Sequence, residues 1–170
     1  MDLDDALAEL VAHSGDRLLR VAYQLTHDRV AAQDLVQDAL LQVYRSMRRR
    51  GLPPEDWYAY LRRAVINEYL SAGRLRSSGE VVTDRMPEQP VADSLEDQIA
   101  DRAQLWTALG ALSARQRAAL VLRYYEDLPD QQIAALLGCR EASVRSLASR
   151  GLAVLRQLAV PAAIGKEDQR

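Results

Sequence analysis

DQQIAALLGCREASVRSL, residues 130–147, has the residue spacing of a helix-turn-helix. Such a unit needs a small residue where its two helices cross and a glycine, or an equivalent, at the turn. Ala134 is the small residue, and Gly138 follows four positions later. Val144 and Leu147 lie six and nine positions beyond that glycine and are expected to face inward. The spacing predicts two packed helices, the second of which enters the major groove of DNA.

The second helix of this unit leaves its polar side chains on the outward face. Arginine pairs with guanine and glutamate accepts a hydrogen bond from cytosine, so such a face suits base recognition. Ser143 and Arg150 are better placed for phosphates, which position a protein without specifying sequence. A helical hairpin with no DNA role is the alternative, and the outward arginines favour DNA. The predicted DNA-binding residues are Arg140, Glu141, Ser143, Arg145, Ser146, Ser149 and Arg150.

Apolar residues recur with a helical period on both sides of a polar middle segment. Before it, three helices are predicted, the second capped by Asp28 and the third ending near Gly73. After it, Ser113 and Gln116 form a capping box that begins the helix ahead of the helix-turn-helix. The sequence therefore predicts an all-α protein of two small helical domains joined by a flexible acidic linker. The predicted ranges are 1–76 and 98–160 for the domains, 77–97 for the linker and 161–170 for a tail.

The apolar stripes also predict which residues form the core. In the second helix the stripe is Ala32, Leu35, Val36, Ala39, Val43 and Met47. In the third it is Trp57, Tyr60, Leu61, Ala64 and Val65. In the second domain Ile99, Leu105, Trp106 and Leu109 are expected in the core.

Charge is unevenly distributed along the chain, although the net charge is only −2. Residues 79–98 contain 6 acids and one arginine, whereas residues 99–160 contain 5 acids and 8 arginines. Such asymmetry is typical of a nucleic-acid-binding part joined to a linker. Arginine in place of lysine suits bidentate phosphate and base contacts, although a GC-rich genome produces the same usage.

Several classes of protein are disfavoured by the same sequence. The chain has no apolar run of about 18 residues and no basic-then-apolar start, which predicts a cytoplasmic protein without membrane insertion. Cys139 is the single cysteine and is interpreted as a small buried apolar residue. His13 and His27 lack a metal-ligand spacing, so no metal or cofactor is predicted. Adjacent acids near the start of the chain do not form a converging pair, and no enzyme is predicted.

The third predicted helix leaves two interpretations open. It carries Arg62, Arg63, Ile66, Asn67 and Tyr69 beside its apolar stripe. Interleaved arginine and aromatic residues suit single-stranded nucleic acid, because bases stack and phosphates require positive charge. A solvated helix face has the same composition, and this helix alone does not distinguish the two.

The order of the motifs distinguishes them, because the chain resembles the sigma-70 family in its small extracytoplasmic-function class. In the first half the similar segments are LLRVAY (18–23), AAQDLVQDA (31–39) and YLRRAVIN (60–67). In the second half they are LSARQR (112–117), VLRYY (121–125) and the helix-turn-helix. The resemblance extends from about Asp16 to Leu158, and several motifs in the right order are far more specific than one. The Ile66–Asn67 pair and the acidic linker resemble those of an actinobacterial, SigE-like branch of the class.

The resemblance implies a sigma factor that binds core RNA polymerase and directs promoter recognition, DNA melting and transcription initiation. It implies that Asp34, Leu35, Gln37, Asp38 and Leu41 dock on the polymerase. It implies that Tyr60, Arg62, Arg63, Asn67 and Arg74 contact the −10 element, and that the helix-turn-helix residues named above contact the −35 element. The implied partners are core RNA polymerase, promoter DNA and an anti-sigma factor, with no cofactor.

Some positions depart from the family pattern. The family usually has Arg at Ile66, Ser at Pro129, Glu at Gln132 and Ser or Thr at Arg140. Gly151 lies inside the recognition helix, where glycine costs about 1 kcal/mol relative to alanine. These departures are expected to leave the fold and the role intact, and the promoter sequence cannot be predicted from the family pattern.

A stand-alone helix-turn-helix regulator is the main alternative, and a helical adaptor without a DNA role is a second. A repressor of the first kind usually dimerises and binds a palindrome. Only residues 161–170 follow the recognition helix, so the sequence offers no clear dimerisation helix and predicts a monomer.

Overall fold

The computed structural model describes residues 2–51, 56–78, 103 and 106–159 of the chain. The chain divides into two compact units, Met1–Asp84 and Arg85–Arg170. Every regular element within the described residues is helical, which confirms the predicted all-α fold of two small helical units.

The first unit is a bundle of three helices, α1 (Leu3–Thr26), α2 (Arg29–Arg50) and α3 (Trp57–Ser78), each packed on the other two. Asp28 caps α2 as predicted, since its carboxylate accepts hydrogen bonds from the backbone N–H groups of Val30 (2.8 Å) and Ala31 (3.0 Å). The predicted stripe of α2 is buried along its whole length. The connection from α1 to α2 is short, so α2 turns back antiparallel to α1. The buried stripe of α2 packs against α1 and α3.

Helix α3 differs from the prediction in two ways. Ile66 was expected beside the core stripe but is 0 % exposed, and Leu61 and Val65 are fully buried with it. The helix also continues through Gly73 to Ser78. One glycine costs only about 1 kcal/mol in a helix, which is too little to end α3 after a turn anchored by the buried Leu70.

The second unit contains α4 (residues 106–110), α5 (Ala114–Leu120), α6 (Asp130–Leu137) and α7 (Glu141–Ala159). The capping box is present: Gln116 N–H donates to Ser113 Oγ (3.2 Å), and the Ser113 N–H donates to Gln116 Oε1 (3.1 Å). One π-helical turn, Val121–Tyr125, extends α5 and closes with a bond from the N–H of Glu126 to the carbonyl of Val121. Leu112, Leu120 of α5 and Ala148 of α7 form a buried apolar cluster in this unit.

Parts of the sequence prediction lie outside the described residues. They are residues 79–97 of the predicted linker, the predicted core residues Ile99 and Leu105, and the tail 161–170. The first two residues of the predicted linker, Ser77 and Ser78, are the end of α3.

Candidate nucleic-acid interface

Helices α6 and α7 form the predicted helix-turn-helix. Gly138 adopts a left-handed conformation at the turn (φ 62°, ψ 41°), and its N–H donates to the carbonyl of Ala134. Cys139 N–H donates to the same carbonyl (3.0 Å). The N–H groups of both residues are therefore hydrogen-bonded where α6 ends. Ile133 and Val144 are fully buried between the two helices. The spacing of the sequence therefore predicted both the turn and the packing, although Leu147 is only half-buried.

Neither helix of this unit begins with the polar cap that is common in the family. Pro129 precedes α6 without a side-chain hydrogen bond, and its carbonyl accepts from Gln132 (3.0 Å) and Ile133 (3.1 Å). The carbonyl of Arg140 likewise accepts from Ser143 (3.0 Å) and Val144 (3.1 Å) at the start of α7. Backbone bonds to the carbonyls of Pro129 and Arg140 therefore begin the two helices, and Arg140 stays exposed.

The polar residues predicted to contact DNA lie on the side of α7 that the core leaves free. Six of them are exposed, namely Arg140, Glu141, Ser143, Arg145, Ser149 and Arg150, and Ser146 is half-buried. The opposite side of α7 carries Val144, Ala148 and Gly151, all buried. Helix α7 thus presents a largely polar face, which suits a helix that enters a groove.

Two of the three arginines on this face, Arg145 and Arg150, have different partners. The Arg150 guanidinium donates from Nε (3.2 Å) and Nη2 (2.7 Å) to Ser146 Oγ, one turn earlier. Arg145 Nη1 lies 3.9 Å from Asp130 Oδ2 and 4.0 Å from Glu141 Oε2. Arg150 is therefore hydrogen-bonded within α7, whereas Arg145 lies within ion-pair distance of a carboxylate of α6.

Two arginines of α5, which no sequence motif marked as functional, donate hydrogen bonds to backbone carbonyls elsewhere in this unit. Arg115 Nη2 donates to the carbonyl of Leu137 (3.1 Å) at the end of α6, where helical carbonyls lack intrahelical partners. Arg117 donates from Nε (3.1 Å) and Nη2 (2.6 Å) to the carbonyl of Leu109. No sequence pattern indicated these partners, since they are 22 and 8 residues away.

The residues predicted to contact the −10 element do not share one face of α3. At about 100° per residue, Tyr60, Arg63, Asn67 and Arg74 fall within an arc of roughly 60°, and Arg62 lies on the opposite side. Arg63, Asn67 and Arg74 are exposed, and the half-buried Tyr60 donates its hydroxyl to Ser46 Oγ (3.3 Å). The four form one surface, which we call the α3 face.

Arg62 has a different environment from the α3 face. Its guanidinium carbon lies 5.4 Å from the centre of the Tyr58 ring, and that of Arg17 lies 4.1 Å from the same centre. Arg62 is half-buried, whereas Arg63 is exposed. Two cations over one aromatic ring join α1 to α3. Arg62 is therefore in place to stabilise the bundle, and its contact with the −10 element stays a prediction.

The residues predicted to dock on polymerase also divide into two sets, four that are exposed and one that is buried. Asp34, Gln37, Asp38 and Leu41 are exposed and fall within an arc of roughly 100° on α2. We call these four the α2 face. Leu41 is 50 % exposed, which leaves this large apolar side chain available for contact. Leu35 is 8 % exposed and lies in the core, so it supports this face from beneath.

No helix of the described part of the chain is long and apolar enough to cross a membrane. Within the same residues, no group of three or more His, Cys, Asp or Glu side chains is arranged to hold a metal ion.

Comparison with known proteins identifies both units. The family description Sigma-70 region 2 matches residues 10–76, and Sigma-70, region 4 matches residues 102–155. The RNA polymerase sigma-E factor of Streptomyces coelicolor is 41 % identical over 88 % of this chain and 83 % of its own length. The ECF RNA polymerase sigma factor SigE of Mycolicibacterium smegmatis is 34 % identical over 87 % of this chain and 59 % of its own.

A solved structure agrees with the sequence relatives. The sigma factor RpoE of Bartonella quintana, in complex with the anti-sigma factor NepR, aligns with a TM-score of 0.67 at 25 % identity. The alignment covers 89 % of this chain and 94 % of that one. A stand-alone helix-turn-helix regulator, the main alternative, is not favoured by these relatives. Two matched regions in the family's order, on a fold of the same kind, show that the chain belongs to the sigma-70 family of RNA polymerase sigma factors, in its extracytoplasmic-function class.

Proposed function

We propose that this sigma factor divides its work among three surfaces: the α2 face for core polymerase, the α3 face for the −10 element and the exposed side of α7 for the −35 element. The observation that carries the proposal is the separation of these surfaces. Each is a set of mostly exposed side chains, and each lies on a different helix. One chain can then hold the polymerase and two promoter elements at once.

The α2 face offers the chemistry of a protein-docking surface. Asp34 and Asp38 are exposed one turn apart, and the exposed Leu41 follows Asp38. Carboxylates steer a basic partner and fix the register, whereas a desolvated leucine contributes binding energy. The partner that this face fits is therefore a basic surface with an apolar pocket, and we assign it to core RNA polymerase.

The α3 face offers an amide, an aromatic ring and two cations. Asn67 can hydrogen-bond to a base edge, Tyr60 can stack on an unpaired base, and Arg63 and Arg74 can neutralise phosphates. Bases flipped out of the duplex are read through such contacts, and the unstacking energy adds selectivity. We assign this face to the melted −10 element.

Helix α7 offers contacts for duplex DNA. Its N-terminal residues Arg140, Glu141 and Arg145 are placed for base edges, and Ser143, Ser149 and Arg150 for phosphates. Ser146 orients Arg150 rather than facing the groove freely. We assign this helix to the −35 element.

The remaining proposals concern context. Chemistry belongs to the core enzyme, so the chain needs no catalytic residue or cofactor of its own. It acts in the cytoplasm, as a monomer when free. An anti-sigma factor is a further proposed partner, because the related RpoE of Bartonella quintana is bound to one.

Transcription from purified components tests the proposal. The protein is added to core RNA polymerase from a related actinobacterium with fragmented genomic DNA, and transcript starts are sequenced. Starts are expected downstream of two shared elements, and core polymerase alone should give none of them. Binding to duplex DNA without core polymerase, together with no new starts, would instead indicate a stand-alone regulator.

A further inference from the structure

Asp130 contacts two arginines from different parts of the second unit. Its Oδ1 lies 3.6 Å from Arg123 Nη2, on the π-helical turn, and its Oδ2 lies 3.9 Å from Arg145 Nη1, on α7. The Asp130 side chain is 19 % exposed, whereas that of Arg145 is 58 % exposed. A sheltered carboxylate at the start of α6 therefore connects the body of the unit to an arginine of the recognition helix.

The second carboxylate near Arg145 does not make the same connection. Glu141 is one turn earlier on α7, so it moves with the helix that carries the arginine. Asp130 belongs to α6, and its other carboxylate oxygen, Oδ1, is paired with Arg123. Of these two acids, Asp130 is the one that orients Arg145 relative to the rest of the unit.

Orientation matters for arginine because its long side chain has about 2 kcal/mol of rotamer entropy to lose. A guanidinium that is already directed before binding loses less of this freedom when it meets a base. A free guanidinium reaches phosphates and bases alike, and phosphate contacts carry no sequence information. A carboxylate close to DNA also repels phosphates, so retaining one lowers affinity for every sequence.

We infer that Asp130 is a positioning residue that sets the sequence preference at the −35 element by orienting Arg145. The inference rests on the proposed function, since Arg145 must read the −35 element. It implies that Asp130 lowers overall affinity and raises discrimination. Removing the Asp130 charge should therefore raise overall affinity and lower discrimination. The loss of a residue that only stabilises the fold would not change these two quantities in opposite directions.

The experiment uses the complete chain with core RNA polymerase. Asp130→Asn removes the charge and keeps the shape, and Asp127→Asn removes a nearby exposed charge as the matched control. Asp127 has φ 52°, a conformation that asparagine adopts readily. Each substitution is made with and without Arg145→Ala, and initiation is measured on promoters varied at the −35 and −10 elements. If the Asn variant aggregates, Asp130→Ser provides a second test.

Asp130→Asn is expected to reduce discrimination among −35 variants by about threefold or more, within the usual coupling between residues in contact. Preference at the −10 element should not change, and in the Arg145→Ala background Asp130→Asn should have no effect on discrimination. Equal stimulation of all promoters, as with Asp127→Asn, would overturn the inference and leave only a general charge effect. If the wild-type chain directs no initiation, the proposed function itself fails, so the two failures are distinguishable.

Discussion

Leu120 Cδ1 lies 2.9 Å from the point where a Cβ atom on Gly151 would stand. Leu120 Cγ lies 3.4 Å and Gln116 Cβ 3.6 Å from the same point, so α5 and α7 approach each other closely here. Leu120 packs in a buried cluster with Leu112 and Ala148. Gly151 therefore permits a close helix–helix contact, and its weak helix propensity is offset by that contact.

Gly151→Ala tests this relationship. Helix propensity alone predicts a gain of about 1 kcal/mol, whereas overpacking a core typically costs about 1–3 kcal/mol. We expect the free energy of unfolding to fall by up to about 2 kcal/mol in urea denaturation. Ala153→Gly, at an exposed position of α7, measures the propensity effect without the contact. A stabilised Gly151→Ala protein would contradict the packing argument.

Gly138→Ala should destabilise the second unit for a different reason. No atom lies within 4 Å of a Cβ at this position, so the effect comes from the positive φ alone. A left-handed backbone costs roughly 1–2 kcal/mol for a residue with a Cβ atom. Gly138→Asn should cost less, because asparagine tolerates this conformation. Thermal unfolding compares the two, and equal losses would mean that something other than φ is involved.

Replacing Gln37 with Ala and Asp38 with Arg should weaken binding to core polymerase by about tenfold or more, or roughly 1.4 kcal/mol. Both residues are exposed, so the fold should be kept. Asp16→Arg reverses one exposed charge on α1 and is the control. Binding is measured by titrating labelled protein with core polymerase. Unchanged affinity with a native circular dichroism spectrum would show that the α2 face does not dock.

Asn67→Ala and Arg145→Ala should affect different promoter elements. Losing a base contact costs about 1–3 kcal/mol and relaxes the preference at that position. Asn67→Ala should relax preference at the −10 element only, and Arg145→Ala at the −35 element only. Initiation from promoters varied at each element measures both. An effect of Asn67→Ala on −35 preference would contradict the division between the two units.

Arg150→Ala should weaken binding to all −35 sequences alike and lower the salt slope by about one, as expected for a lost phosphate contact. Ser146→Ala removes the hydroxyl that holds the guanidinium and should weaken binding less, because the charge remains. Arg156→Ala removes the same charge about 9 Å farther along α7 and is the control. Salt titrations of the polymerase complex on a fixed promoter separate the three. A change in sequence preference on losing Arg150 would assign it to a base.

The parts of the structure that the sequence predicted correctly depend on neighbours within about four residues. Asp28 caps α2 and Ser113 pairs with Gln116 because both caps are local hydrogen bonds. Gly138 indicated the turn because the backbone at the end of α6 is left-handed, a conformation that glycine adopts readily. Periodicity predicted the core stripe of α2, and motif order predicted the family.

The remaining features depend on residues that are distant in the chain, which the local pattern does not contain. Periodicity gives the direction of a side chain from its helix axis but not the neighbour that covers it. Packing of three helices therefore buried Ile66 and left Arg63 exposed beside a half-buried Arg62. The docking of α5 on α7 explained Gly151, and that of α6 on α7 brought Asp130 within reach of Arg145, because such contacts exist only once the helices have packed.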